Sequence, residues 1–236
     1  MSVIILAGGH GECMRLGDDY APKLMIPIAG KPLLEHHIAW LKAAGFDSIK
    51  LCLGVNADTV RSHFSDGAAW GVRLQYFIQQ NRMGNAGMVK TLGAASLPDD
   101  TLVFLGDVWA RFDIAKMFEF HRSHAGLATL ALRKPEKGDD SQTVVMGPER
   151  RVVNFPEYPS DDPAAMAAVP VWIIRRGLLH HVPDEGPSSF LKDVFPAVVR
   201  AGQEIYGFPV TGEAVDIGTP ERLEKLSRRC AKSLAA

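Results

Sequence analysis

Short, wholly apolar runs alternate along this chain with longer segments in which apolar residues recur every three to four positions. That alternation predicts a mainly parallel sheet with helices packed against it. Residues 3–6 form the first run, and 49–55, 72–78 and 102–105 read as further strands, the last stopping at Gly106-Asp107. Between them, 31–44 carries Leu33, Leu34, Ile38 and Leu41 on one helical face, with Pro32 near its start and Gly45 just past its end. Residues 57–64 and 87–95 read as shorter helices. Beyond Asp113 the pattern gives a helix to about His124, a strand at 127–132, a hairpin pairing 143–146 with 151–155, and a loop at 156–163. Strands at 169–174 and 204–208 enclose a helix at 190–201, and a last helix, 221–232, has Pro220 in its first turn and Thr219 as N-cap. The expected fold is a three-layer α/β/α domain with a Rossmann-like, mixed and mainly parallel sheet, one domain spanning residues 1–236.

Composition narrows the classes of function. With 236 residues, 47% hydrophobic, the chain can bury a sizeable core, which excludes a disordered or collagen-like protein. Its 26 basic and 27 acidic side chains leave a net charge of −1, so no overall electrostatic signature points to nucleic acid or an anionic membrane. No apolar stretch reaches the roughly 18 residues of a membrane-spanning helix. Cys13, Cys52 and Cys230 are odd in number and scattered, which fits a reducing cytoplasm better than a disulfide scaffold. The pairs His36-His37 and His180-His181 are adjacent, so their rings point to different helix faces and make no chelate.

The chemistry concentrates after the first strand, in Leu6-Ala7-Gly8-Gly9-His10-Gly11. A buried strand that empties into glycines brings bare backbone N–H groups to the carboxyl end of a sheet, where phosphates are commonly cradled. The spacing matches neither the Walker loop nor G-x-G-x-x-G, and by itself it serves a tight turn equally well. The run continues through Arg15, Pro22-Lys23, and Pro27 to His36. Together with Met83-Gly84-Asn85-Ala86-Gly87, Gly106-Asp107-Val108 and Val215-Asp216-Ile217-Gly218-Thr219-Pro220-Glu221, it resembles the sugar-1-phosphate nucleotidyltransferases over nearly the whole chain. The short length is similar to that of the compact bacterial enzymes acting on heptose, mannose or N-acetylmuramic acid.

The resemblance implies transfer of a nucleotidyl group from an NTP to a sugar 1-phosphate, with release of pyrophosphate and dependence on Mg²⁺. Two polyanions must then be brought together around an in-line displacement, which calls for cations and oriented donors. On the family's pattern, Asp107 and Asp216 hold the metal; Lys23, Arg15 and Asp107 are catalytic. Leu6, Ala7, Gly8, Gly9, Gly11, Gln79, Gly84 and Asn85 contact the nucleotide, with Gly84 letting a flat base approach the backbone. Gln79, five positions before Gly84, would read a base edge with its amide, which suits uracil or thymine. Trp109 and Glu157 would contact the sugar, although Trp109 could equally seal the sheet end. The expected protein is cytoplasmic, binds no nucleic acid or membrane, and is compatible with a homodimer.

Three positions depart from the family's pattern. Cys13 stands where the first signature arginine falls, and a thiol cannot replace a guanidinium that forks to two phosphate oxygens; Arg15 matches a second arginine. Tyr158, in Glu157-Tyr158-Pro159, stands where a lysine is common, and Leu105 where an asparagine precedes Gly-Asp. Two alternatives therefore stand beside the transferase reading: a CTP-dependent cytidylyltransferase for a phospho-alcohol or phosphonate, and a non-catalytic nucleotide-sugar-binding protein.

Overall fold

The computed structural model describes residues 2–8, 13–16, 19–54, 57–79, 81–136, 140–157 and 162–234, with the main chain alone for 13–16, 19–21 and 231–234. The chain gathers into two compact units: one from Val3–Gln80, Phe104–Arg111 and Gly212–Ala236, the other from Met1–Ser2, Asn81–Val103 and Phe112–Thr211.

In the first unit, strand Ser2–Ala7 lies parallel to Ser48–Leu53, which pairs in parallel with Arg73–Ile78 on its other side. Val3, Ile4, Ile5, Ile49, Leu51 and Cys52 have no exposed surface. Strands covered on both faces need continuous apolar runs rather than alternation, which is the pattern the sequence shows. Helix Leu33–Ala43 buries Leu33, Leu34, His37, Ile38 and Leu41, and Gly45 ends it in a left-handed conformation at φ +85°. The helix starts two residues later than its periodicity predicts, because Lys31–Pro32 is taken into a short ladder with Pro27–Ile28.

Two antiparallel pairs in this unit were not expected. Cys13–Leu16 pairs with Asp19–Pro22, placing Arg15 opposite Tyr20. Val108–Arg111 pairs with Glu213–Asp216, placing Val108 opposite Asp216 and Trp109 opposite Val215. Beside the second pair, helix Pro220–Leu234 packs Leu223 and Leu226 against Ile26, Ile28, Leu33, Trp109 and Ile217 in a satellite core. Thr219 caps this helix as expected, its hydroxyl oxygen accepting from the Arg222 N–H at 3.3 Å.

The second unit is built on strand Ala165–Arg175, antiparallel to both Ala128–Arg133 and Thr143–Met146. Ala128–Arg133 runs parallel to Ile205–Pro209, and the predicted hairpin pairs Val145 with Asn154. Parallel and antiparallel pairings with helices make the mixed α/β fold that the pattern predicts. Phe190 stacks on Phe195 and Trp172 packs edge-on to Phe195, with the three ring centroids 5.3 to 5.7 Å apart and all three side chains fully buried. The helix expected at 190–201 opens instead as a widened π turn, Phe190–Val194, before the α-helical Phe195–Arg200. Pro196 has no N–H to give to the preceding turn.

Candidate active site

The parallel register sets Ala7, Leu53 and Ile78 level with one another, so the chain leaves the first and third strands at the same edge, as Gly8 and Gln79. Ligands of open α/β sheets are bound at such carboxyl ends. The Gln79 side-chain oxygen lies 2.4 Å from where a Cβ on Gly8 would sit, so only glycine leaves that amide in place. The Gln79 N–H donates to Leu53 O at 2.7 Å. Gly106 reaches the same edge because its N–H donates to Leu6 O at 2.8 Å. A Cβ on Gly106 would meet Leu24 Cδ2 at 2.8 Å and Ala7 Cβ at 3.2 Å, so this position too admits no side chain.

Asp107 follows directly, and its carbonyl accepts from the Ile217 N–H at 3.0 Å. With Val108 opposite Asp216, that bond brings the two aspartates to one corner of the unit. Lys23 opens the turn Lys23–Met25 after Pro22, whose extended ψ of 137° aims the chain. Its ammonium sits 2.8 Å from Asp107 Oδ2, and both side chains are largely buried. Asp216 is half exposed; its Oδ1 accepts from the Gly218 N–H at 2.5 Å, and Arg222 NH1 lies 3.7 Å away. Partial removal from water holds the Asp216 carboxyl above the usual range, and the negative charge of Asp107 adds to this, against the Gly218 N–H, Arg222 and Lys23.

Two carboxylates that repel one another at a water-facing corner form a donor set a cation would relieve. Among the described residues, no group of three or more His, Cys, Asp or Glu gathers that could hold a metal. A carboxylate pair with one half-exposed member suits Mg²⁺, which keeps waters and takes phosphate oxygens, better than a metal caged by protein groups alone. The adjacent histidines are occupied elsewhere: His36 Nε2 is 2.8 Å from Ile28 O and His37 Nε2 is 2.9 Å from Gly106 O.

The remaining expected residues fall out as follows. Gly84, at φ +69°, opens helix Gly84–Thr91, three residues earlier than predicted. A Cβ there would lie 2.2 Å from Ser188 O, so the close approach of a neighbouring backbone already requires glycine at 84, whatever a base does. Asn85 uses its side-chain oxygen on the Phe190 N–H at 2.7 Å. Glu157 is exposed. Trp109 is 6% exposed, inside the satellite core, with its indole N–H on Glu213 Oε2 at 2.8 Å and the Arg111 guanidinium 4.1 Å from its ring centroid, as the sealing alternative expects. Gly9, Gly11 and Tyr158, and the side chains of Cys13 and Arg15, lie outside the described residues.

The sequence reading missed Arg222, the cation beside Asp216, although a basic residue six positions after an aspartate and across a helix cap was a usable signal. It also missed His37, whose place on an apolar helix face gave no hint of a partner in the Gly106 carbonyl. Among the described residues, no helix is long and apolar enough to cross a membrane.

Comparison with known proteins gives the family. The chain is 29% identical, over its whole length, to 66% of mannose-1-phosphate guanylyltransferase of Mycobacterium tuberculosis. It is 30% identical to D-glycero-alpha-D-manno-heptose 1-phosphate guanylyltransferase of Aneurinibacillus thermoaerophilus, over 97% of each chain. It spans less than two thirds of several of its longer relatives, including 60% of a UTP--glucose-1-phosphate uridylyltransferase of Synechocystis. The solved structure of HddC from Yersinia pseudotuberculosis complexed with GMP-PN has the same fold, with a TM-score of 0.78 at 21% identity over 97% of this chain and 98% of that one. The model of the nucleotidyl transferase family matches residues 2–233, and the chain belongs to that family.

Proposed function

We propose that this protein transfers a guanylyl group from GTP to a sugar 1-phosphate, with Mg²⁺, releasing pyrophosphate in nucleotide-sugar synthesis. The observation that carries the reading is the gathering of Lys23, Asp107 and Asp216 at the strand edge that also presents Gly8 and Gln79. Guanosine is the chosen base because the relatives matched over nearly all of this chain include two guanylyltransferases. The Gln79 amide can serve it, since its oxygen accepts from guanine ring and amino N–H groups.

A sugar-phosphate oxygen attacks the α-phosphorus as the bond to the bridging oxygen breaks and pyrophosphate departs. Lys23 has a compact point charge that can exchange the Asp107 carboxylate for a phosphate oxygen as the triphosphate arrives. Asp107 and Asp216 would hold the Mg²⁺, which supplies neutralisation of phosphate charge when bound. Arg222 offsets the charge of Asp216. Gly8 leaves its backbone open to a phosphate or sugar, and Gln79 stands over it. Arg15 is assigned the pyrophosphate contact that Cys13 cannot make. The cytoplasm, which supplies GTP and sugar phosphates, is the compartment that this reading calls for.

Pyrophosphate release screened over the common NTPs against a panel of sugar 1-phosphates, with Mg²⁺, tests the proposal. GTP with a manno-configured sugar 1-phosphate is expected to turn over fastest. Tight GTP binding with no pyrophosphate from any pair would make the chain a binding protein instead, and preference for CTP with an amine-bearing acceptor would make it a cytidylyltransferase.

A further inference from the structure

His37 has no exposed surface and lies among Leu34, Ile38 and Leu41 on the buried face of helix Leu33–Ala43, its ring edge-on to Phe104 at 5.2 Å. Its Nε2 is 2.9 Å from the Gly106 carbonyl. A carbonyl oxygen only accepts, so Nε2 carries the proton. Burial pushes the imidazole down to about 3, which leaves the ring neutral and Nδ1 a bare acceptor. That Nδ1 is buried with no hydrogen-bond partner. A leucine would fill an apolar helix face without stranding an acceptor, so the core alone does not account for a histidine here.

What the ring does is fix one peptide. The Gly106 N–H is taken by Leu6 O at 2.8 Å, the Gly106 carbonyl by His37, and the Asp107 carbonyl by the Ile217 N–H at 3.0 Å. The Gly106-Asp107 peptide and its flanks are thus held by three separate segments of the chain. A Cβ at Gly106 would crowd Leu24, Ala7 and Ile5, so the segment passes close against the side chains of that edge. We infer that His37 is a positioning residue: by holding the Gly106 carbonyl it sets the direction in which the Asp107 carboxylate meets its cation. This rests on the assignment of Asp107 as a cation ligand. It extends that assignment to a residue on another element that touches neither substrate nor metal. Groups behind a metal ligand, in other proteins, commonly change metal affinity by about 10- to 100-fold when removed.

The test compares His37→Leu and His37→Gln with the wild type by Mn²⁺ binding in the presence of GTP, followed by electron paramagnetic resonance, alongside kcat, KM and thermal melting. The leucine variant keeps the fold but should bind Mn²⁺ about 10-fold more weakly and lose kcat in proportion, with KM for the sugar phosphate unchanged. Glutamine reaches about as far as Nε2 with an N–H donor and should restore both. A merely structural histidine would move the melting temperature and leave Mn²⁺ affinity alone, so wild-type affinity and turnover in a folded leucine variant overturn the inference. Should the leucine variant not fold, glutamine and the shorter asparagine decide, and equal Mn²⁺ affinity in those two overturns it. Asp107→Asn is run beside them. If it weakens Mn²⁺ binding while His37→Leu does not, only the positioning role falls; if it binds Mn²⁺ and GTP like the wild type, the cation-ligand reading falls and takes the positioning role with it.

Discussion

Asp107 in one unit and Asp100 in the other are both tied to a histidine-bearing helix, yet the two clusters are built for opposite ends. At Asp107 the histidine holds main chain, and the carboxylate pairs with the Lys23 ammonium at 2.8 Å. At Asp100 the histidines take the side chains themselves. The Gly126 N–H donates to His124 Nδ1 at 3.1 Å, so His124 Nε2 donates to Thr129 Oγ1 at 2.9 Å. Thr129 then donates to His121 Nδ1 at 2.8 Å, and His121 Nε2 donates to Asp100 at 3.3 Å. Arg175 closes the knot on the carbonyls of His121, His124 and Gly126, and Tyr206 stacks on His124 at 4.0 Å. In one cluster the histidine holds the main chain beside the carboxylate; in the other a relay of side-chain hydrogen bonds through His124, Thr129 and His121 ends on the carboxylate itself. The comparison teaches that a carboxylate beside a histidine is not by itself a sign of catalysis. What separates the two is whether the histidine holds the main chain or the carboxylate.

The largest effect that would break this comparison is on turnover. Asp107→Asn and Asp216→Asn should each lower kcat by about 1,000-fold or more, while the melting temperature stays within a few degrees. Pyrophosphate release and melting curves measure both, and wild-type turnover in either variant removes that residue from the cation site. Next comes base choice. Gln79→Glu should shift relative kcat/KM toward GTP and away from UTP or dTTP by about 10- to 100-fold, the worth of a hydrogen bond at a buried base edge. A ratio that holds within about twofold takes Gln79 off the base.

The third prediction concerns acid and the sealed cluster. Burial first, and then Arg175, hold His124 down to about 4; burial likewise holds His121 down to about 4, against the pull of Asp100. Unfolded histidines titrate near 6.5, so the unfolded chain takes up protons first. The stability these residues contribute is whole above about pH 6.5 and is lost as pH falls toward about 4. His37, held down to about 3, adds to the same slope. Melting temperature followed from pH 7.5 to pH 4 should therefore fall steeply below about 6.5, and Asp107→Asn should follow the same curve. A flat profile would mean that the histidines are not sealed. The smallest effect tests the packing of Trp109. Trp109→Phe should cost about 1 kcal/mol through its lost bond to Glu213 and leave KM for the sugar phosphate unchanged; a raised KM would put the indole back against the sugar.

Much of the fold was legible because its signals are local. The strands 3–6, 49–55 and 72–78, the helix that Gly45 ends and the helix that Thr219 caps all follow from periodicity, φ preference and end chemistry within a dozen residues. Lys23, Asp107 and Asp216 were legible as motif residues. The meeting of the two aspartates was legible only through the family resemblance and not from local pattern, because it depends on a four-residue strand pairing with another more than a hundred positions away. Pairs that short carry no periodicity of their own, and a register between distant segments is set by packing rather than by spacing. Trp109 shows the same limit: its sequence neighbours suggest a pocket wall, and only the arrival of helix Pro220–Leu234 encloses it. The Ser188 backbone against Gly84 and the Gly106 carbonyl beside His37 are contacts that no local pattern announces. The sequence by itself determined which residues could bear charge and where the longer strands and helices lie, since those follow from side-chain chemistry and local backbone preference. Tertiary structure alone decided which charges meet and which rings are sealed, because contacts between distant segments depend on how whole elements pack.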